Sequence, residues 1–420
     1  MDLVALSRLL LLSILMLSVV FPTALQGMKI ILLVLVMGVF LVRAVKNPAE
    51  VKWSRSIFFL SFLFSTIGCL WSFYGVTLGN PGAFRVLTVM AVYPVLFTML
   101  GCYWKPGDAA RLIKAFLWFG FILVFSQGLY ISSSFGLDGG AYFQWMQSLY
   151  GDIAVVDQGE DYFLFTLPSV ASLIFYLPFC FVGFLFDSKF NFKYLFLFIS
   201  AVVIVLLTGR RAIYLSFAMS ILSTVGIITV GYLLFPRRAP RLSGTRAILL
   251  SLGVSAFVSL FFFIGLQNQD MVLTSLQSIF DFQSNESNLE RKYQFDALME
   301  GIGQNPIFGA GAGAAASYIR SFEQPWSYEL FYISMIFHYG ILGFIIYLGG
   351  VLFLVWGQLK CVFSESLHYR SRLFALCFLA GFISFITATA TNPYVGKFDY
   401  MWIIFIPVMM INSFNLTKEF

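Results

Sequence analysis

Long apolar runs, interrupted by short polar stretches, recur from one end of this chain to the other. Runs of this length without alternation predict membrane-crossing helices and not the short, alternating strands of a β-barrel. Twelve spans are expected, at roughly 5–22, 27–44, 56–74, 84–102, 113–131, 162–186, 191–208, 212–235, 247–266, 328–357, 372–391 and 399–416. The first, with Arg8 near its start, also has the look of a signal peptide; as part of a twelve-span bundle it is expected to be retained.

Composition agrees with this class. Of 420 residues, 60% are hydrophobic and only 11% charged, far from the quarter charged that is usual in soluble domains. The excess of basic residues therefore does not point to nucleic acid. In such a chain Lys and Arg first report topology. With the N-terminus inside, 18 of the 26 Lys and Arg and 6 of the 20 Asp and Glu lie on the inner side, for +12. The other 8 and 14 lie outside, for −6, so both termini are expected to be cytoplasmic. Arg210 and Arg211, in "LLTGRRAIYLSF", then fall at the outer surface, where cations such as Lys29, Arg85, Arg291, Arg320 and Lys397 are few. None of the five cysteines lies in an outer loop, so no disulfide framework is implied.

A single membrane domain, 1–420, is expected, with two long outer loops. Residues 132–161 are acidic and contain no Lys or Arg; residues 267–327 form the larger loop. Within it, "SNESNLERKYQFDALMEGI" predicts an amphipathic helix capped by Ser287 or Asn288, with Leu289, Tyr293, Leu298 and Ile302 on its apolar stripe. "QNPIFGAGAGAAASYI" follows, a close-approach loop whose backbone either makes a tight turn or cradles an anion. It lacks the strand and the lysine of a nucleotide loop.

No Cys/His cluster suggests a metal, and no cofactor is expected. His338, about 15 Å down its span from the outer end, is either a packed polar residue or the lining of a cavity. Adjacent helical residues point about 100° apart, so one of Arg210 and Arg211 can face the bundle while the other meets lipid headgroups. An inward arginine at the rim suits an anion, because its planar fork matches phosphate. Arg291 is a second such candidate, its alternative being an ion pair with Glu290 or Asp296.

Three segments occur in a telling order. "TGRRA" at 208–212 resembles the Thr-Gly-Ser-Arg-Gly segment of the O-antigen polymerase and ligase superfamily. "RKYQFDAL" with "NPIFGAGAG" resembles that family's Arg-x-x-x-aromatic stretch before Asn-Pro-x-x-Gly-x-Gly, and "YGILGFIIYL" at 339–348 its Gly-x-x-Gly segment. The resemblance covers about 206–350 and implies an all-α polytopic membrane protein, GT-C-like in fold, with a large extracytoplasmic loop between spans 9 and 10. The family arginines fall on Arg211 and Arg291, with Arg210 at the place of the usual Ser. The ligase branch carries His-Asn eleven residues before the first Gly of the Gly-x-x-Gly segment. Here that place holds Glu329-Leu330, and His338 is not its equivalent. The departure favours a Wzy-type polymerase over a ligase.

The resemblance implies glycosyl transfer at the periplasmic face of the bacterial inner membrane, without metal. The donor is a glycan on undecaprenyl pyrophosphate and the acceptor another lipid-linked repeat unit. A chain-length regulator protein and membrane lipids are the remaining partners it admits. Arg211 and Arg291, with Arg210 assisting, are expected to stabilise the leaving diphosphate. Glu329 is expected either to accept the acceptor's proton or to complement the start of its helix, with His338 in reserve. Tyr214 and Arg320 complete the substrate-binding set. Tyr142, Trp145, Asp152 and Trp326 are candidates for sugar contact. The rival readings are an O-antigen ligase or protein O-oligosaccharyltransferase, and a transporter or flippase of lipid-linked glycans.

Overall fold

The computed structural model describes residues 3–151, 154–158, 163–188, 191–208, 211–236, 244–246 and 286–418. In chain order the helices are α1 (Leu3–Val20), α2 (Gln26–Lys46), α3 (Arg55–Thr77), α4 (Ala83–Leu87), α5 (Tyr93–Leu100), α6 (Ala109–Ser134), α7 (Ala141–Tyr150), α8 (Val170–Phe186), α9 (Phe192–Thr208), α10 (Arg211–Leu234), α11 (Glu286–Gln304), α12 (Phe331–Val362), α13 (Tyr369–Ala388) and α14 (Trp402–Lys418). One small antiparallel pair, β1 (Val155–Gln158) with β2 (Phe163–Thr166), sets Val155 opposite Thr166. The protein is an all-α polytopic membrane protein: lipid offers no partner to backbone N–H and C=O groups, so spanning segments must satisfy their own as helices.

Eight helical stretches are long and apolar enough to cross a membrane, and three shorter apolar helices, within α8, α9 and α14, accompany them. Apolar helices thus lie at eleven of the twelve expected places, eight of them long enough to span. The span expected at 247–266 lies outside the described residues, as does 267–285 of the large loop.

At the centre is α8, buried at all seventeen positions and packed against α13 and α9. A helix that is apolar all round belongs in an interior. Its Phe175 meets Phe378 of α13 and Trp402 of α14 at ring separations of 4.7 and 4.8 Å. The sixth span begins later than expected: residues 163–166 pair as β2, and the helix opens at Val170. The acidic loop 132–161 is likewise not wholly irregular, since it holds the end of α6, α7 and β1.

Two departures from regular helix shape the end of the bundle that carries the large loop. Residues Thr88–Val92 form a π turn between α4 and α5, and Ser65 and Ser61 of α3 donate to the Ala91 and Pro94 carbonyls there. Gly68 makes this approach possible, since a Cβ in its place would lie 2.6 Å from the Met90 carbonyl carbon. The second is a break in α12 at Gly340, with φ +66° and ψ −179°, a region open essentially to glycine alone. The segment after α11 fills the break. Ile341 donates to Pro306, Leu342 to Ile307, and Ala310 to the Phe337 carbonyl.

The same segment is stitched to the end of α3. Trp71 Nε1 donates to the Phe308 carbonyl at 2.8 Å, Asn80 to Ala310 at 2.9 Å, and Gly82 N–H to Gly313 at 3.1 Å. Gly309, Gly311 and Gly313 all take positive φ. The Ala310, Ala312, Ala314 and Ala316 N–H groups are spent on protein acceptors, so the segment is a tight docking turn.

Candidate functional site

Three residues singled out from sequence meet on this face. Glu329, just before α12, accepts from Arg291 Nε of α11 at 2.8 Å and pairs with Arg320 Nη2 at 2.7 Å. Arg320 also reaches Glu290 through Nε at 3.3 Å. Arg291 thus pairs with neither Glu290 nor Asp296, the local partners of its alternative reading, among the described residues. A carboxylate 38 residues away in sequence displaces them.

Packing sets this geometry. Gly301 of α11 lies against the Phe337 ring of α12, and Leu298 is buried with Tyr328 and Phe337. That seating turns Gln294 fully inward, where its Oε1 accepts the Glu329 N–H at 2.8 Å and holds the residue in place. The Gln294 amide nitrogen is buried and has no hydrogen-bond partner among the described residues. The helix stripe therefore differs from expectation. Tyr293 points outward, its ring 5.8 Å from Tyr318, and the polar Gln294 occupies the inner row. The helix also begins at Glu286, so Ser287 and Asn288 lie within its first turn and do not precede it.

The Glu329 side chain is 12% exposed, those of Arg291 and Arg320 33% and 38%. The carboxylate is thus enclosed while both guanidinium groups keep an open edge. A carboxylate has about four acceptor positions, and two are taken here; each guanidinium has five N–H donors. The cluster can accept a proton and present several donors to an anion.

Other candidates fall elsewhere. His338 Nε2 lies 3.0 Å from the Ala314 carbonyl, beneath the docking turn and between the Tyr328 and Phe337 rings. The turn covers it, and no hydrogen bond joins it to the Arg291–Glu329 pair among the described residues. Arg211 opens α10, but its side chain and that of Tyr214 lie outside the described residues, as do Arg210 and Asp152. Trp326 rests on Gly82, and the Tyr142 hydroxyl shares a 2.7 Å hydrogen bond with Ser126. Trp145, edge-on to Phe21 and tilted against Tyr142, keeps an exposed ring.

Two cations counted from sequence only as topology signals have further roles here. Lys29, fully buried, forms an ion pair with Asp399, whose other oxygen accepts from Gln26 at 2.8 Å. This pair ties the start of α2 to the loop before α14. Lys397, in the same loop, reaches an accessible surface yet is walled by protein. Desolvation pushes its pKa below the ordinary 10.5, Arg320 and Arg85 push it the same way, and Asp399 opposes them. No spacing in the sequence links residues 85, 320 and 397; only the packed bundle brings them within electrostatic range.

Residues 195–356 match the family model described as O-antigen ligase. The stretch contains "TGRRA", Arg291, Arg320, Glu329 and the break at Gly340. A search of curated proteins finds no match.

Proposed function

We propose that this chain, a membrane enzyme that belongs through residues 195–356 to the O-antigen ligase and polymerase superfamily, is a polymerase of lipid-linked glycan repeats. In this reading it lies in the bacterial inner membrane with both termini cytoplasmic and its site at the periplasmic face. The donor is a glycan on a polyprenyl diphosphate, and the acceptor is the hydroxyl of another lipid-linked repeat.

The observation that carries the reading is the convergence of Arg291 and Arg320 on Glu329. A diphosphate is already a good leaving group, so transfer needs cationic donors where its charge accumulates and a proton acceptor beside the attacking hydroxyl. The acceptor oxygen bonds to the anomeric carbon as the bond from that carbon to the diphosphate oxygen breaks. The electron pair leaves with the lipid diphosphate, and the hydroxyl proton passes to Glu329. Arg291, Arg211 and Arg320 receive the departing diphosphate, with Arg210 assisting. A glutamate at the place where the ligase branch has histidine favours polymerase over ligase.

The test is the product formed by purified protein from synthetic lipid-linked repeats with no gradient supplied. A ladder on a sizing gel is expected, and Arg291→Ala is expected to abolish it while the protein remains in the membrane. Wild-type chain lengths from that variant would remove Arg291 from the mechanism. Transfer only onto a lipid A core or a protein would make the enzyme a ligase or an oligosaccharyltransferase.

A further inference from the structure

The chain that runs from the docking turn back to Glu329 is laid antiparallel along one flank of α11. Ser317 donates to Glu300 at 3.3 Å, the Tyr318 ring lies 5.8 Å from that of Tyr293, and Arg320 pairs with Glu290 at 3.3 Å. Both ends of this strip are fixed. The Ala316 N–H donates to the Tyr328 hydroxyl, and Arg320 reaches on to Glu329 at 2.7 Å. The two tyrosine rings, 34° from parallel, therefore form one shelf held from two elements. Tyr293 is 48% exposed and Tyr318 half-buried. Neither hydroxyl has a hydrogen-bond partner among the described residues. The two flanks of α11 differ in chemistry. At about 100° per residue, Glu290, Tyr293, Asp296 and Glu300 fall on one side of the buried row, and Phe295, Met299 and Ile302 on the other.

We propose that the Tyr293–Tyr318 shelf binds a sugar ring of the acceptor glycan, beyond the unit whose hydroxyl meets Glu329. The inference rests on the reading of the site as a glycosyl transferase and adds which residues hold the acceptor. A pyranose has one apolar C–H face, which suits an aromatic ring, and hydroxyls around its edge. Here the rings are bordered by the carboxylates of Glu290 and Glu300, which accept from such hydroxyls, and carry two phenolic groups that both donate and accept. Lipid fits this flank poorly: acyl chains would bury three carboxylates of α11 away from water, and anionic headgroups would meet like charge. Position assigns the shelf to the acceptor. Arg291, toward the leaving group, and Tyr293 lie on opposite sides of the row in which Gln294 seats Glu329. The shelf thus falls on the side of the attacking hydroxyl, with Arg320 joining it to the carboxylate. Tyr293 and Tyr318 are binding residues on this account; the proton transfer stays with Glu329.

The test has two arms on the full-length protein in nanodiscs. Calorimetry measures binding of the free repeat-unit oligosaccharide, released by mild acid from the lipid-linked repeat of the producing cells. Transfer kinetics at saturating donor give kcat and the KM for a lipid-linked acceptor. Tyr293→Ala, and from the other element Tyr318→Ala, are each expected to weaken oligosaccharide binding and raise the acceptor KM about tenfold. With kcat held within about twofold, the lost contact is one made equally in the ground and transition states. Tyr293→Phe, which keeps the ring, is expected to restore most of the affinity, and Tyr293→Leu, apolar but without a ring, to behave as the alanine variant. Wild-type oligosaccharide affinity and acceptor KM in both alanine variants would overturn the shelf, and loss of transfer in Arg291→Ala would then leave the catalytic reading standing. Full transfer by Arg291→Ala would sink that reading, while the calorimetric arm still decides the shelf. Stronger quenching of Tyr293→Trp emission than of wild type by brominated lipid would make the shelf a membrane contact and overturn its assignment.

Discussion

Replacing Glu329 with glutamine separates two roles that one carboxylate can hold. The side chain keeps its size, and its carbonyl can still accept from one arginine, either Nε of Arg291 at 2.8 Å or Nη2 of Arg320 at 2.7 Å. The other guanidinium then faces an amide NH₂ and loses its partner. Hydrogen bonds to charged groups contribute about 1.5–3 kcal/mol when buried, and exposed ion pairs only about 0.2–1 kcal/mol. With the carboxylate 12% exposed and both arginines about one-third exposed, the lost contact falls between these, at about 1–2 kcal/mol of stability. The loss of a general base is larger, about 10²–10⁴ in rate, or about 3–5 kcal/mol of barrier. Stability and turnover are therefore expected to diverge. The assay is single-turnover transfer from a synthetic lipid-linked repeat, with thermal unfolding and donor binding measured on the same preparation. Turnover within about threefold of wild type, together with the modest fall in stability, would refute Glu329 as proton acceptor and leave it the clasp that holds the arginines.

Gly340→Ala places a Cβ 2.0 Å from the Ile307 carbonyl oxygen at a backbone angle that L residues rarely adopt. It is expected to undock the turn, lower the melting temperature and abolish transfer together; a folded, active Gly340→Ala protein would show that the break in α12 does not organise the site. Asp399→Asn leaves the buried Lys29 without its counter-ion. Removing one partner of a buried pair costs about 3–5 kcal/mol, which thermal unfolding or loss of membrane-inserted protein would register. Stability is expected to rise with pH through the lowered pKa of Lys397, because its surroundings disfavour the ammonium in the native state. The groups acting on it are Arg320 and Arg85, which lower that pKa, and Asp399, which raises it. Between the lowered pKa and 10.5 the unfolded chain holds the proton and the native one does not, so the native state gains stability with rising pH. A stability profile in Lys397→Met identical to wild type over the same range would show that another group titrates.

The apolar runs alone determined the membrane class and placed apolar helices at eleven of the twelve expected positions, eight of them long enough to cross, because a spanning helix must be continuous, apolar and about the thickness of a bilayer. The order of "TGRRA", "RKYQFDAL" and the glycine segments likewise pointed to the family whose model matches 195–356. Those are properties of local stretches, and a one-dimensional reading suffices for them. Partners across the fold were not legible in the same way. Arg291 has acidic neighbours one residue before it and five after, yet pairs with Glu329, because the seating of Gly301 on Phe337 and of Gln294 beneath Glu329 outweighs proximity along the helix. Tyr293 belonged to the apolar stripe by spacing and was turned out by that same packing. Lys29 and Lys397 read as topology signals because a charge in sequence carries no sign of what it faces. Only the closed bundle decided that one meets Asp399 and the other a pair of arginines, since Coulomb interactions depend on distance through space and on the water that packing removes.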